Sequence, residues 1–223
     1  MIINDLIILF FLLLFLFFLI IKIFSSFKKR IFINYLSTPL IIFNVIIISL
    51  YNFYNNPDIY NLLITLGLIL SLIGDIFNLF EKPDNSHLFN SILFFLLAHL
   101  IYTIAFLKEY SFSIYHIFIL ILFIIIIAYL YKRFKINISY NLMKIGIIIY
   151  MVIISVTFII AIGNLNTKIS SKSLFISSGM FIFWLSDLFL GINAFIKKIK
   201  YSSIIIWILY APGQLLITLS TYY

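Results

Sequence analysis

Residues 60–80 read YNLLITLGLILSLIGDIFNLF. Only one of these residues, Asp75, is charged, and a helix needs about 20 mostly apolar residues to cross the hydrocarbon core of a bilayer. Similar stretches fill most of the chain, and together they predict spans at roughly Ile2–Phe24, Leu36–Tyr54, Tyr60–Phe80, Leu88–Leu107, Ser113–Tyr131, Leu142–Ile162, Leu174–Phe195 and Ser202–Ser220. The sequence therefore predicts an all-α polytopic membrane protein, a bundle of about eight transmembrane helices.

The composition supports a membrane protein rather than a water-soluble one. The chain is 65% hydrophobic and 10% charged, with a mean hydropathy of +1.23, whereas soluble domains are about half apolar and about one quarter charged. The absence of cysteine excludes disulfides, thiolate metal sites and a cysteine nucleophile. The connections between the stretches are short, so we expect residues 1–223 to form a single transmembrane domain. The first stretch lacks a basic leader and a small-residue cleavage site, and we expect it to be retained.

The basic residues are concentrated on one side of the predicted bundle. Alternate loops and their flanks hold twelve of the fifteen: Lys22, Lys28, Lys29, Arg30, Lys82, Lys132, Arg133, Lys135, Lys144, Lys197, Lys198 and Lys200. Basic loops of membrane proteins stay in the cytoplasm. We therefore predict a multi-pass protein of the cell's cytoplasmic membrane with both termini outside. The net charge of +8 follows from this topology, and no nucleic-acid partner is expected.

Polar residues converge on one layer of the predicted bundle. With a rise of 1.5 Å per residue, Asp75 and Asp187 lie roughly 10 and 15 Å from the cytoplasmic boundary. The same estimate gives depths of about 9 to 18 Å for polar residues on three further helices, namely His99, Tyr150, Ser155 and Gln214. A charge inside a membrane is costly and faces a bundle interior or a cavity, so this layer is the candidate site.

Helical spacing assigns these residues to coherent faces. Four stripes follow the spacing of one helix face: Ser71, Gly74, Asp75 and Asn78; Ser91, Phe95, His99 and Tyr102; Met180, Trp184, Asp187 and Gly191; and Trp207, Tyr210, Gln214 and Thr218. A purely structural interpretation stays open for several members. Ser71, Asn78, Ser155 and Ser177 suit interhelical hydrogen bonds, and His99 suits a core histidine.

The two aspartates are the strongest functional candidates. Asp75 and Asp187 alone among the seven acidic residues fall inside predicted spans away from an end, and no lysine or arginine partner is expected within the spans. An apolar environment favours the neutral form of a carboxyl group, which is the property of a proton donor.

At these positions the sequence resembles the YhhN-like lysoplasmalogenases, eight-span membrane proteins that hydrolyse the vinyl ether bond of lysoplasmalogens. The resemblance rests on four motifs in order: SLIGDIF at 71–77, FFLLAHLIY at 94–102, GMFIFWLSD at 179–187 and YAPGQ at 210–214. Tyr150 and Ser155 suit the sixth helix of the family. The chain departs from the family pattern at Thr38-Pro39 (Lys-Pro in the family), Ser91 (Gly) and Gly213 (Ala).

The resemblance implies a hydrolase acting on an ether bond of a membrane lysophospholipid. The products would be a fatty aldehyde and glycerophosphoethanolamine or glycerophosphocholine. The catalytic aspartates proposed for the family fall on Asp75 and Asp187. We expect eight further residues to orient water or substrate: Asn78, His99, Tyr102, Tyr150, Ser155, Ser186, Tyr210 and Gln214. No metal or other cofactor is expected.

Three alternatives stay open from the sequence alone. A zinc site made by Asp75, His99 and Asp187 would need a complete set of three protein ligands. A proton-coupled transporter of a small molecule or lipid also uses buried carboxyl groups. Carriers often contain inverted repeats and paired broken helices, whereas this sequence predicts one break, at Pro212-Gly213, and shows no repeat. A structural or assembly protein is the third alternative, and it would tolerate neutralisation of both aspartates.

Overall fold

The computed structural model describes residues 2–80, 86–133 and 141–223. The described part of the chain contains no β-strand and forms eight α-helices: α1 (Ile2–Phe27), α2 (Ile31–Asn55), α3 (Ile59–Leu79), α4 (Ser86–Leu107), α5 (Tyr115–Arg133), α6 (Asn141–Thr167), α7 (Ser171–Phe195) and α8 (Ser202–Leu219). A short 3₁₀ helix, Ser220–Tyr222, follows α8. Lys82 and Lys135, which the sequence assigned to cytoplasmic loops, lie outside the described residues, and so does the side chain of Lys144.

All eight described helices are long and apolar enough to cross a membrane. The predicted fold class is therefore confirmed, and the chain is an integral multi-pass membrane protein. The sides on which the termini and the basic loops lie stay a prediction from the charge distribution.

Helix α8 lies at the centre of the bundle. It packs against α1, α2, α3 and α7, while α4 packs against α3 and α6. Helices α1 and α5 are the least buried of the eight, and their outward faces carry exposed leucine, isoleucine and phenylalanine side chains. In lipid such faces need no protein partner. The helices that carry the predicted site are thus the inner ones.

Two glycines allow α7 and α8 to approach closely. A methyl group added to Gly179 would lie 2.9 Å from the carbonyl oxygen of Gly213, and one added to Gly213 would lie 3.1 Å from the carbonyl oxygen of Gly179. Small residues at a crossing let two helix backbones touch in a membrane. This contact fixes the helix of Asp187 against the helix of Tyr210 and Gln214.

The structure corrects two boundaries that the sequence suggested. Helix α2 begins at Ile31, five residues before the predicted start, so the first basic loop is shorter than predicted. Helix α8 continues through Pro212 without a break. Prolines are tolerated in membrane helices because neighbouring groups satisfy the freed backbone. The predicted interruption at Pro212-Gly213 is therefore wrong, and with it the feature that favoured a transporter.

Candidate active site

Asp75 lies in the interior of the bundle on the face of α3 that meets α8. Its side chain is buried, and its Oδ2 atom accepts a hydrogen bond of 2.7 Å from the hydroxyl group of Tyr210. The preceding residue, Gly74, leaves space for the ring of Phe95, which would lie 3.0 Å from an added methyl group. The ring of Phe95 in turn packs edge-on against Tyr210. The Asp75 carboxyl group is thus held in place by α4 and α8.

A chain of buried hydrogen bonds extends from Asp75 to α4. The Nε2 atom of Gln214 donates to the hydroxyl oxygen of Tyr210 at 3.5 Å, and the hydroxyl group of Tyr102 donates to Oε1 of Gln214 at 2.9 Å. The ring of Tyr102 fits against Gly67, where an added methyl group would come within 2.2 Å of it. Three side chains that the sequence predicted for the site are therefore brought together with Asp75.

Asp187 lies on α7 at the inner wall of a groove. Its Oδ2 atom accepts a hydrogen bond from the hydroxyl group of Tyr150 and lies 3.8 Å from Nε2 of His99. The side chain is 11% exposed, in contrast to the fully buried His99. Asp187 thus combines polar partners inside the bundle with access from the groove.

His99 occupies the centre of the polar layer. Its ring packs edge-on against Phe183 at a centroid distance of 4.7 Å, and it lies 5.8 Å from the ring of Tyr150. Neither ring nitrogen has a hydrogen-bond partner among the described residues. Buried polar atoms are nearly always bonded, so these nitrogens are available to a water molecule or a bound substrate.

The surroundings of the two carboxyl groups meet at Phe183. Phe183 packs against both His99 and Tyr210, the neighbours of Asp187 and Asp75, with a centroid distance of 5.2 Å to Tyr210. Phe183 therefore links the surroundings of the two aspartates inside the bundle.

The groove beside Asp187 is bounded by α4, α5, α6 and α7. It holds about 790 Å³ of space free of protein atoms, part of it open to the surroundings. Its walls are largely apolar, with side chains such as Leu88, Phe123, Ile126, Leu130, Ile147 and Ile154, and its polar lining groups come from Tyr150, Ser155, Trp184 and Asp187. The groove therefore combines a largely apolar wall with the carboxyl group of Asp187.

The comparison with known proteins identifies the family. A family model described as the YhhN family matches residues 30–221. The chain belongs to the YhhN family. Neither the curated proteins nor the solved structures gave a significant match. The resemblance that the four motifs carried is therefore confirmed at the level of the family.

Two residues predicted to orient water or substrate in this YhhN protein lie elsewhere. Asn78 is exposed near the end of α3, so it is not part of the cluster around Asp75. Ser186 is buried, but its hydroxyl group donates to the carbonyl oxygen of Ile206 at 3.3 Å. Ser186 thus joins α7 to α8, in the way that Ser177 joins α7 to α6 through the carbonyl oxygen of Ala161.

Ser155 lies on the groove wall beside Trp184. Its hydroxyl group donates to the carbonyl oxygen of Met151 at 2.8 Å and accepts a weak bond of 3.4 Å from Nε1 of Trp184. It therefore lines the groove and does not contact Asp75. Within the described part of the chain, no three histidine, aspartate or glutamate side chains come close enough together to hold a metal ion. The alternative of a zinc site at Asp75, His99 and Asp187 has no support in this geometry.

One charged residue of the YhhN site escaped the sequence reasoning. Lys22 was counted among the basic residues that set the topology, but it is buried on the inner face of α1 and acts electrostatically on Asp75. The sequence reasoning thus missed a buried cation inside the bundle, although no ion pair joins it to Asp75 among the described residues. The sequence feature that could have placed Lys22 inside the bundle is its helical spacing. Lys22 shares one buried face of α1 with Phe15, Leu19 and Ser25.

Proposed function

We propose that this YhhN protein is a lysoplasmalogenase, a membrane hydrolase that cleaves the vinyl ether bond of a lysophospholipid. The products are a fatty aldehyde and a glycerophospho-alcohol such as glycerophosphoethanolamine or glycerophosphocholine. Membership of the YhhN family is consistent with this activity. The observation that carries the proposal is the position of Asp187, on the wall of an apolar groove and beside His99, whose neighbour Phe183 packs against the Tyr210 that bonds to a second carboxyl group, Asp75.

The reaction requires a positioned acid. Hydrolysis of a vinyl ether begins when a proton adds to the β-carbon of the double bond and leaves a cation shared between the α-carbon and the ether oxygen. Carbon is a weak base, so the acid must be held against it in the correct orientation. A carboxyl group in an apolar site keeps its proton more readily than one in water, and the lining of the site supplies such a medium.

The second carboxyl group stabilises the cation and activates the water molecule. A carboxylate stabilises the positive charge and accepts a proton as water adds to the α-carbon, which gives a hemiacetal. The hemiacetal then breaks its bond to the glycerol oxygen, which takes a proton, and the aldehyde is released. Glycosidases treat a similar cation with two carboxyl groups in different protonation states. Asp75 and Asp187 share these two roles.

The remaining polar side chains orient the reactants. His99 has two ring nitrogens without partners and lies beside Asp187, so it is suited to bind the attacking water. Tyr150 and Tyr210 each donate a hydrogen bond to one of the carboxyl groups and hold it in a single orientation. Tyr102 donates a hydrogen bond to Gln214, and Gln214 donates one to Tyr210, so both help to fix the position of Tyr210. The acid, the base and the water all come from the chain and the solvent, and the proposed reaction requires no cofactor.

The substrate reaches the site from the membrane. The groove runs between inner helices and α5, which is among the least buried helices of the bundle. A single alkenyl chain entering sideways past α5 would lie along the apolar wall, with its vinyl ether at Asp187. The partner of this protein is therefore a lipid in the membrane rather than a soluble metabolite.

The test is the release of fatty aldehyde from lysoplasmalogen by the purified protein in detergent or in vesicles. Asp75→Asn and Asp187→Asn are each expected to reduce the release by at least about 100-fold, because each removes a group that carries a proton or a charge in the reaction. Asp58→Asn is the matched control. It makes the same chemical change at the N-terminal cap of α3, where asparagine caps as well as aspartate. Full activity in both site variants, or no aldehyde from the wild type, contradicts the proposal.

A further inference from the structure

We propose that Lys22 is the charge partner of Asp75 and sets the pH range over which this carboxyl group changes its protonation. Lys22 is thus a positioning residue, which acts on the reaction through Asp75. This inference deepens the proposed function and rests on it for its activity readout. It also has a second readout that is independent of catalysis.

Lys22 is built into the interior of the bundle. Its side chain is 4% exposed, its Nζ atom donates to Oγ1 of Thr38 on α2 at 2.5 Å, and it lies 4.7 Å above the centre of the Trp207 ring on α8. The main-chain carbonyl of Lys22 is also fixed, because it accepts a hydrogen bond from the hydroxyl group of Ser25 at 2.9 Å. Three helices therefore hold the ammonium group in one place.

Two buried aromatic side chains, Trp207 and Tyr210, link Lys22 to Asp75. Trp207, which faces the ammonium group, packs edge-on against Tyr210 at a centroid distance of 5.2 Å, and Tyr210 donates its hydrogen bond to Asp75. Asp75 is in turn the acidic group that acts electrostatically on Lys22.

A lysine near the end of a membrane helix usually extends its charged end towards the interface. Lys22 lies five residues before the end of α1, so this outward orientation was available to it. The contacts with Thr38 and Trp207 instead place the ammonium group of Lys22 inside the bundle. A buried ammonium group is costly unless a negative charge compensates it, and the contact with an aromatic ring supplies only part of that compensation. Asp75 is the acidic group that Trp207 and Tyr210 join to Lys22.

The Lys22 charge breaks the symmetry between the two carboxyl groups. Asp75 and Asp187 repel each other when both are ionised, and such pairs share their protons unequally. Lys22 attracts the negative charge to Asp75, whereas Asp187 has Tyr150 and His99 as its polar neighbours. The titratable groups that act on Asp75 come from five helices: Lys22, Tyr102, Tyr150, Asp187 and Tyr210. Lys22 is the basic one among them.

The first experiment is the pH profile of kcat for aldehyde release. Lys22→Met removes the charge and keeps a flexible apolar chain of similar length, so ionisation of Asp75 becomes harder. One limb of the profile is expected to move to higher pH by about one unit, a tenfold change in proton concentration. If Asp75 reacts as the carboxylate, the acidic limb moves; if it reacts as the acid, the alkaline limb moves. Either shift supports the proposal and assigns the role of Asp75.

Matched variants separate charge from packing. Lys22→Arg keeps the positive charge, Lys22→Gln keeps a donor for Thr38 without the charge, and Thr38→Val removes the hydrogen bond but not the charge. We expect Lys22→Gln to shift the pH profile as Lys22→Met does. Lys22→Arg and Thr38→Val should keep the pH profile of the wild type. An unshifted profile in both Met and Gln variants overturns the proposal, as does an equal shift in the Arg variant.

The second experiment does not use activity. Infrared difference spectroscopy of the purified protein detects the carbonyl stretch of a protonated carboxyl group, and the Asp75→Asn variant identifies the band of Asp75. In Lys22→Met this band is expected to persist to a pH about one unit higher than in the wild type. An unchanged titration of the band overturns the coupling. If the band shifts while lysoplasmalogen is not hydrolysed, the proposed function fails and the Lys22–Asp75 partnership stands.

Discussion

The hydroxyl group of Tyr210 on α8 donates a hydrogen bond to Oδ2 of Asp75 on α3 across 2.7 Å, although 135 positions separate the two residues in the chain. The bond joins the first half of the bundle to its last helix at the depth of the predicted site. Tyr210 also accepts a bond from Gln214 and packs against Trp207. A single phenol therefore connects the carboxyl group, the polar chain to α4 and the buried ammonium group of Lys22.

Replacing Tyr210 by phenylalanine removes this bond and keeps the ring. We expect kcat for aldehyde release to fall about 10- to 100-fold with little change in KM, because a hydrogen bond to a charged group is worth about 1.5–3 kcal/mol. Tyr60→Phe is the matched control, since Tyr60 is an equally buried tyrosine whose hydroxyl group bonds to Ser220 away from the site. A Tyr210→Phe enzyme as fast as the control would show that the bond has no part in the reaction.

Replacing His99 by glutamine or by leucine tests whether its free ring nitrogens bind the attacking water. We expect both variants to lose at least about 100-fold in kcat, in the range typical of a group that assists proton transfer. Asn78→Ala should have wild-type kcat, because Asn78 is exposed on α3. Steady-state kinetics on lysoplasmalogen measures both effects. A large loss in Asn78→Ala would mean that the cluster extends further along α3 than the described contacts show.

Gly191 offers a way to shorten the groove. It lines the groove on the side of Asp187, and an added methyl group would meet nothing within 4 Å. Gly191→Phe is expected to fill this space and lower kcat/KM for long-chain substrates about tenfold more than for short-chain ones, while Gly191→Ala should change neither. A loss of about 1.4 kcal/mol in binding corresponds to tenfold. Equal losses for all chain lengths would place the lipid chain elsewhere.

Gly179 tests the contact between α7 and α8. An added methyl group would lie 2.9 Å from a backbone oxygen of α8, so Gly179→Ala must push the two helices apart. We expect a loss of about 1–3 kcal/mol in the free energy of unfolding, seen as a lower midpoint of thermal unfolding in detergent. Gly146→Ala on α6 serves as the control, because its nearest neighbour is a Phe89 ring carbon at 3.4 Å. A stable Gly179→Ala protein would mean that the crossing can open without cost.

The membrane fold followed from the sequence because it depends on one-dimensional properties. Each span requires a run of apolar residues of a fixed length, and such runs can be counted along the chain. Asp75 and Asp187 were found by the same reasoning, since a carboxyl group within an apolar run has few stable positions other than a protected interior. The boundaries were less accurate: α2 extends to Ile31 and α8 continues through Pro212, because the interior of a bundle compensates for local helix breakers.

Only the tertiary structure decided which neighbour each helix face meets. Helical spacing placed Asn78 on the stripe of Asp75 and gave Lys22 no partner, yet Asn78 faces outwards and Lys22 faces Thr38 and Trp207. The direction of a side chain turns by about 100° per residue, and the rotation of each helix is set by contacts such as that between Gly179 and Gly213. Those contacts join residues that are distant in the chain, so they cannot be predicted from the residue spacing within a single helix.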